Sequence, residues 1–303
     1  MLKTDTILIP IPALFSFQEC LWFLNRNYDD CLHEIRQDSI YKALEVKGEM
    51  VLIKVTENGA FLELDVLEGD IDANGKEYLV AYVKDWFDMD NAIQPFYDLL
   101  KTDGRLAYMT DRYKGLRLIG ISNLFEAICW SIIGQQINLS FAYKVKRALV
   151  ERFGQSITRD GVSYYVFPEA AILAKVSKEE LKAIQFSSQK ADYMIGIAKA
   201  FASGALSKEM IIDLPNFEAR KKALTAHKGI GIWTANYALM KCLREPQGIP
   251  FGDIGLLNAL ANHNIIQDRK EIEKINALFA QYAGWESYLV FYLWRSLTVR
   301  EPA

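Results

Sequence analysis

The chain has 303 residues, of which 51 % are apolar and 24 % charged, so it carries enough apolar surface for two or three buried domains and is too apolar for wholesale disorder. No stretch of about 18 consecutive apolar residues occurs, and the apolar start MLKTDTILIPIPALF is broken by Asp5 and prolines and lacks a basic lead, so neither a membrane span nor a signal peptide is expected. The net charge of −3 is unevenly divided: residues 1–100 hold 8 Lys and Arg against 19 Asp and Glu, whereas the remainder holds 27 against 19. Chance unevenness is one reading. The other is that the second part meets a polyanion and the first does not.

In chain order, TILIPIP reads as a strand and FSFQECLWFLNRN has apolar residues at helical spacing. The segment YKALEVKGEMVLIKVTENGAFLELDVL then alternates in the strand manner, with turns at Lys47-Gly48 and Asn58-Gly59. Asn74-Gly75 marks a further turn. A small antiparallel sheet carrying a helix is expected. From about residue 88 the period becomes 3.6. Helices are expected near 90–101, 122–136, 139–153, 168–175, 178–184, 188–203, 206–212, 216–227, 232–243, 253–262, 269–282 and 285–298. Asn138 or Ser140 is a candidate cap for the third of these, and Ser177 with Glu180 forms a capping box. SYYVF at 163–167 is the one strand candidate in this half. The fold class is therefore α+β, with a sheet domain over 1–104 and an all-helical region over 105–303. Cys20, Cys31, Cys129 and Cys242, and the three histidines, fit no metal-ligand spacing. Reduced thiols in a cytoplasmic chain are expected.

The segment LTAHKGIGIWTANYALMKCLREPQGIPFGDIG, residues 224–255, carries the chemistry. Gly229-Ile230-Gly231 joins two helical segments. Glycines on either side of one apolar residue permit a tight turn with Ile230 inward and the Gly229 and Gly231 amides outward. The start of the next helix adds its own free N–H groups, which makes a phosphate site. His227 and Lys228 flank the turn and Thr234 follows it; Arg220, Lys221, Lys222 and Lys228 add electrostatic pull. Taken alone, G-x-G is an ordinary turn. Some twenty residues on, Gly252-Asp253 precedes an apolar helical run, and Asp253 taken alone is an ordinary helix cap. Trp233 and Tyr237 lie four apart on one helix face, as core aromatics or as the walls of a base pocket.

KGIGIWTANYALM and IPFGDIGLLNAL together resemble the helix–hairpin–helix DNA glycosylases, and within them the 3-methyladenine DNA glycosylase II branch. The resemblance extends over about residues 103–298 and includes DGRLAYMTDRYKGLRL, the joint GQQIN, FSSQKADYMIGIAKA and WESYLVFYLW. For the first hundred residues it implies only a sheet similar in kind to that of the TATA-binding protein. It implies that Asp253 stabilises an oxocarbenium-like sugar and directs water. It also implies a third pocket aromatic in Trp294, a pocket role for Gln135, and a wedge at Gln136 and Ile137 that fills the gap left by a flipped base. Relatives that also cleave the backbone carry a lysine where this chain has Trp233, which implies a monofunctional enzyme. No cofactor is implied, and no metal except a monovalent cation that such hairpins often hold on backbone carbonyls. The partner implied is double-stranded DNA with alkylated bases, bound by a monomer without membrane contact and associated with the nucleoid. A glycosylase for a neutral lesion such as hypoxanthine or uracil, and a non-catalytic damage-binding protein, are the alternatives.

Overall fold

The computed structural model describes residues 6–26 and 28–298. Strand β1 (Ile7–Pro10), helix α1 (Phe17–Leu24) and strands β2 (Glu34–Arg36), β3 (Ser39–Val46), β4 (Glu49–Asn58) and β5 (Phe61–Glu68) open the chain. The five strands make one antiparallel sheet in the order β1-β5-β4-β3-β2. Lys47 and Gly48 both take positive φ, 53° and 85°. That is the two-residue turn whose twist matches a hairpin, and it sets Val46 opposite Glu49. Val51, Ile53 and Val55 of β4 face the helices, while Leu52 points to the other side.

The turn expected at Asn74-Gly75 is not there. The two residues form the first turn of helix α2 (Ala73–Trp86). Asp72 caps it by accepting from the Gly75 N–H at 2.7 Å. Leu79, Val83 and Trp86 then bury one face. The cap and this apolar stripe outweigh the preference of an Asn-Gly pair for a reversal.

Thirteen further helices follow: α3 (Gln94–Thr102), α4 (Met109–Arg112), α5 (Leu124–Gly134), α6 (Leu139–Phe153), α7 (Ala170–Leu173), α8 (Lys178–Ala183), α9 (Ser188–Ala202), α10 (Lys208–Ile212), α11 (Phe217–Thr225), α12 (Ile232–Leu243), α13 (Ile254–Asn262), α14 (Ile272–Gln281) and α15 (Glu286–Ser296). Apart from the single turn α4, each falls on a segment that the 3.6 period marks. Asn138 caps α6 through the Phe141 N–H, and Ser177 and Glu180 close the capping box on α8. SYYVF contributes strand β7 (Val162–Tyr165), and its partner β6 (Ser156–Arg159) was not anticipated. This hairpin lies on the outer face of the sheet, where Tyr164 covers Ala43 and Leu52.

Two apolar cores result. The first gathers the inner sheet face, α1 to α4 and α13 to α15, so that both ends of the chain share it. Glu19 of α1 and Arg295 of α15 pair at 2.8 Å inside it. The second core gathers α5 to α12. Residues from both line a cleft of about 1680 Å³. All four cysteines are buried and unpaired. Among the described residues no helix is long and apolar enough to cross a membrane.

Candidate active site

Gly229 has φ of 96°, and a Cβ there would lie 2.5 Å from Tyr193 Cγ on α9, so only glycine fits. Ile230 is buried, as expected, and its N–H donates to the His227 carbonyl at 3.1 Å. Gly231 differs: its φ is −84°, a Cβ would meet open space, and it serves as the N-terminal cap of α12 with no side chain capping the helix. The N–H groups of Gly229 and Gly231 find no acceptor among the described residues. Polar N–H groups left open beside a helix start form an anion site. Lys228 is exposed and His227 half-buried. Of the neighbouring bases, Arg220 is engaged by Glu245 and Lys221 by Glu218. Lys222 and Lys228 have no acidic partner among the described residues and supply the free charge.

The hairpin and the GQQIN joint are tied together. Gln135 follows the last turn of α5, and its Nε2 donates to both the Gly229 carbonyl and the Thr234 hydroxyl, each at 3.1 Å. Thr234 is buried there. Gln136 is exposed with φ of 56°, a conformation uncommon for a residue with a side chain. Ile137 packs against the second core. Of the two candidate wedge residues, Gln136 thus stands out from the surface while Ile137 is held back.

Asp253 caps α13, and its Oδ1 accepts from the Leu256 N–H at 2.7 Å and from the Trp294 indole N–H at 2.9 Å. Both bonds fall on one oxygen, and Oδ2 has no partner among the described residues. Gly255 allows the close approach: a Cβ there would sit 3.1 Å from Asp253 Oδ1 and 3.4 Å from Trp294 Nε1. Trp233 and Tyr237 stack with centroids 5.5 Å apart and planes 19° apart, and Tyr237 meets Trp294 at 6.2 Å. The cap, the two tryptophans and the tyrosine, drawn from α12, α13 and α15, all line the cleft.

The facing wall was missed in the sequence. Trp130 of α5 donates its indole N–H to the Tyr237 hydroxyl at 3.1 Å. Its ring meets Tyr143 of α6 at 4.6 Å, and Tyr143 stacks on Tyr28 at 5.0 Å. Lys146 lies 5.2 Å from the Trp130 centroid and pairs with Asp30 at 2.9 Å, with both side chains largely buried. Burial would push the Asp30 carboxyl up, but the Lys146 ammonium overrides it and holds Asp30 well below the ordinary carboxylate range. Burial likewise opposes the charge of Lys146, and Asp30 reverses that, raising it above the usual amine value. Glu126, one turn before Trp130, is shifted upward by burial. Only the spacing of Tyr143 and Lys146, three apart on α6, offered a sequence signal for this wall.

Residues 129–283 match the family model for the HhH-GPD superfamily base excision DNA repair protein, and residues 21–128 match that for the N-terminal domain of 8-oxoguanine DNA glycosylase. The chain is 39 % identical over 296 residues to the DNA-3-methyladenine glycosylase of Bacillus subtilis, with 97 % of each chain covered. The structure of the 3-methyladenine DNA-glycosylase from Archaeoglobus fulgidus is similar at a TM-score of 0.82 and 22 % identity, covering 97 % of this chain and 100 % of that one. The Clostridium acetobutylicum 8-oxoguanine glycosylase/lyase, in complex with double-stranded DNA, is similar at 0.68 and 16 %, covering 88 % and 97 %. The chain belongs to the HhH-GPD superfamily of base excision DNA repair proteins. Within that family it is a DNA glycosylase, homologous to DNA-3-methyladenine glycosylases and built on the expected α+β plan.

Proposed function

We propose that this glycosylase acts as a monomer on double-stranded DNA and removes alkylated purines, 3-methyladenine and 7-methylguanine, by hydrolysis without cleaving the backbone. The observation that carries the reading is the fixed Asp253 carboxylate, with one oxygen bound and the other open, in the same cleft as three aromatic rings. A base rotated out of the duplex needs an aromatic slot, and a cationic alkylpurine is drawn to electron-rich faces. As the purine departs with the bonding electrons, positive charge grows on the deoxyribose. Asp253 faces that charge, and water adds to C1′ while its proton passes to the carboxylate. An alkylated purine leaves as a neutral molecule, so no second acid is required.

The Gly229–Gly231 amides and the start of α12 hold a backbone phosphate, with Lys222 and Lys228 beside them. Gln136, exposed and in a strained conformation, fills the vacated position in the duplex, and the Gln135 amide keeps that wedge in register with the hairpin. The test is incubation with methylated duplex DNA and chromatography of the released bases. Free 3-methyladenine and 7-methylguanine are expected. Binding to abasic DNA without release of any base would overturn the reading in favour of a damage sensor. Borohydride should trap no protein–DNA adduct, because Trp233 offers no amine.

A further inference from the structure

Trp130 carries no role assigned from the sequence, yet its indole N–H makes a polar contact with the aromatic part of the cleft, at the Tyr237 hydroxyl. An indole N–H can only donate, so the 3.1 Å contact occupies a lone pair of the Tyr237 oxygen and leaves the phenol proton unused. That proton finds no acceptor among the described residues. Tyr237 is half-buried and lines the cleft, so the proton is free to meet a group that enters it. Trp130 cannot swing away easily, since Tyr143 packs on its ring and the Lys146 ammonium lies over it. Tyr237 in turn is held between Trp233 and Trp294. Burial keeps the phenol protonated well above its ordinary range.

We propose that the Tyr237 hydroxyl, aimed by the Trp130 indole, donates a hydrogen bond to an acceptor on the edge of the departing purine. Tyr237 is then a specificity-determining residue as well as a stacking surface, and Trp130 is its positioning residue. This rests on the glycosylase reading above. The departing purine takes the electron pair of the glycosidic bond, and its ring nitrogens, with the carbonyl oxygen in 7-methylguanine, become stronger acceptors as that bond breaks. A fixed donor therefore gains strength along the reaction, which accelerates the step instead of merely tightening binding. No proton changes hands.

The experiment compares Tyr237→Phe, Trp130→Phe and the double variant in single-turnover release of both methylpurines, alongside affinity for abasic DNA. Tyr237→Phe keeps the stack and loses the donor; a fall of about tenfold in release rate is expected, with abasic DNA binding unchanged. Trp130→Phe should lower the rate by about threefold to tenfold, and the double variant should be no slower than Tyr237→Phe. Losses that multiply in the double variant, or a Tyr237→Phe enzyme at full rate, would overturn the proposal. If Tyr237→Phe does not fold, Trp130→Phe alone decides it: abasic binding retained with release slowed supports the role, and release at full rate refutes it. A wild-type chain that releases no methylpurine points to failure of the glycosylase reading instead.

Discussion

The two walls of the cleft are made from different kinds of sequence. The wall of α12, α13 and α15 takes the hairpin, Trp233, Tyr237 and Asp253 from one stretch of about thirty residues, and adds only Trp294 from afar. The opposite wall takes Tyr28 and Asp30 from a loop after α1, Trp130 from α5, and Tyr143 and Lys146 from α6. One wall is a motif, and the other is an assembly of long-range pairs. The groups proposed to react and to hold phosphate need fixed local geometry, which a helix cap and a glycine turn supply within a few residues. The facing wall supplies shape, a rigid backing and the Trp130 N–H, which distant residues can provide if they pair well.

This difference predicts that the buried ion pair of the assembled wall fails by unfolding and the carboxylate of the motif wall by losing rate. The largest effect is expected at Lys146. Lys146→Met leaves Asp30 buried without its partner, which costs about 3–5 kcal/mol of stability. Urea denaturation of the wild type and the variant measures it, and adding Asp30→Asn should restore most of the loss. The effect has a defined pH window. The Asp30 value is lowered on folding, so its contribution is present above the unfolded value of about 4 and disappears as pH falls through the folded one. The Lys146 value is raised on folding, so its contribution is full below about 10.5 and is lost as pH rises through the folded value. In the wild type the pair's contribution is therefore flat from about pH 5 to pH 10. In Lys146→Met, burial pushes the unpaired Asp30 carboxyl up, so the stability difference should shrink as pH falls and that carboxyl takes a proton. A difference that grew as pH fell would show that another group is responsible.

On the motif wall the expected pattern is the reverse. Asp253→Asn should lower base release by about 100- to 1000-fold. Asparagine is as good a helix cap as aspartate, and its carbonyl can still accept from Leu256 and Trp294. Stability and abasic-DNA affinity should therefore stay close to wild type. A variant that lost stability and rate in proportion would reduce Asp253 to an ordinary cap.

Much of the fold was legible because capping and period are local. Asn138, Ser177 and Glu180 cap where their spacing places them. Asn74-Gly75 misled because a turn dipeptide and a helix first turn share residues, and Asp72 decided between them. In the site, Asp253 and the three aromatics come together because the hairpin and the Gly-Asp loop carry their own geometry. Asp30 and Trp130 were invisible because each is defined by a partner more than a hundred residues away. The division of charge was legible, but its sense was incomplete: the acidic part supplies Asp30 to the cleft itself.

The two hairpin glycines offer a matched pair of intermediate effects. Gly229→Ala places a Cβ against the Tyr193 ring at a φ of 96°, with strain of about 1–3 kcal/mol and displacement of the amide row. DNA affinity should fall while the rate at saturating DNA persists. Gly231→Ala meets open space at an ordinary φ and leaves the amide row in place, so it should bind within about twofold of wild type, with any cost of the poorer cap falling on stability. In the wild type, affinity should also fall steeply with added salt, as expected for several phosphate contacts. Equal losses in the two alanine variants would mean that the turn geometry does not set the phosphate contact.

The smallest effect tests how the motif wall is held to its one distant member. Trp294 donates to the same Asp253 oxygen that already accepts from the Leu256 N–H. Trp294→Phe removes that donor but keeps an aromatic ring beside Tyr237. The cap bond survives, so the carboxylate stays at the helix start but gains freedom to turn. A hydrogen bond to a charged group contributes about 1.5–3 kcal/mol, and the remaining bond recovers part of that, so a loss of about tenfold in release rate is expected. Because the lost contact positions the carboxylate and does not bind the duplex, abasic-DNA affinity should hold. Trp294→Phe and Asp253→Asn should combine to no more than the loss of Asp253→Asn alone, since the indole acts through that carboxylate. A combined loss equal to the product of the two would show that Trp294 contributes to the base slot independently, and the motif wall would then depend on a distant residue as much as the wall it faces.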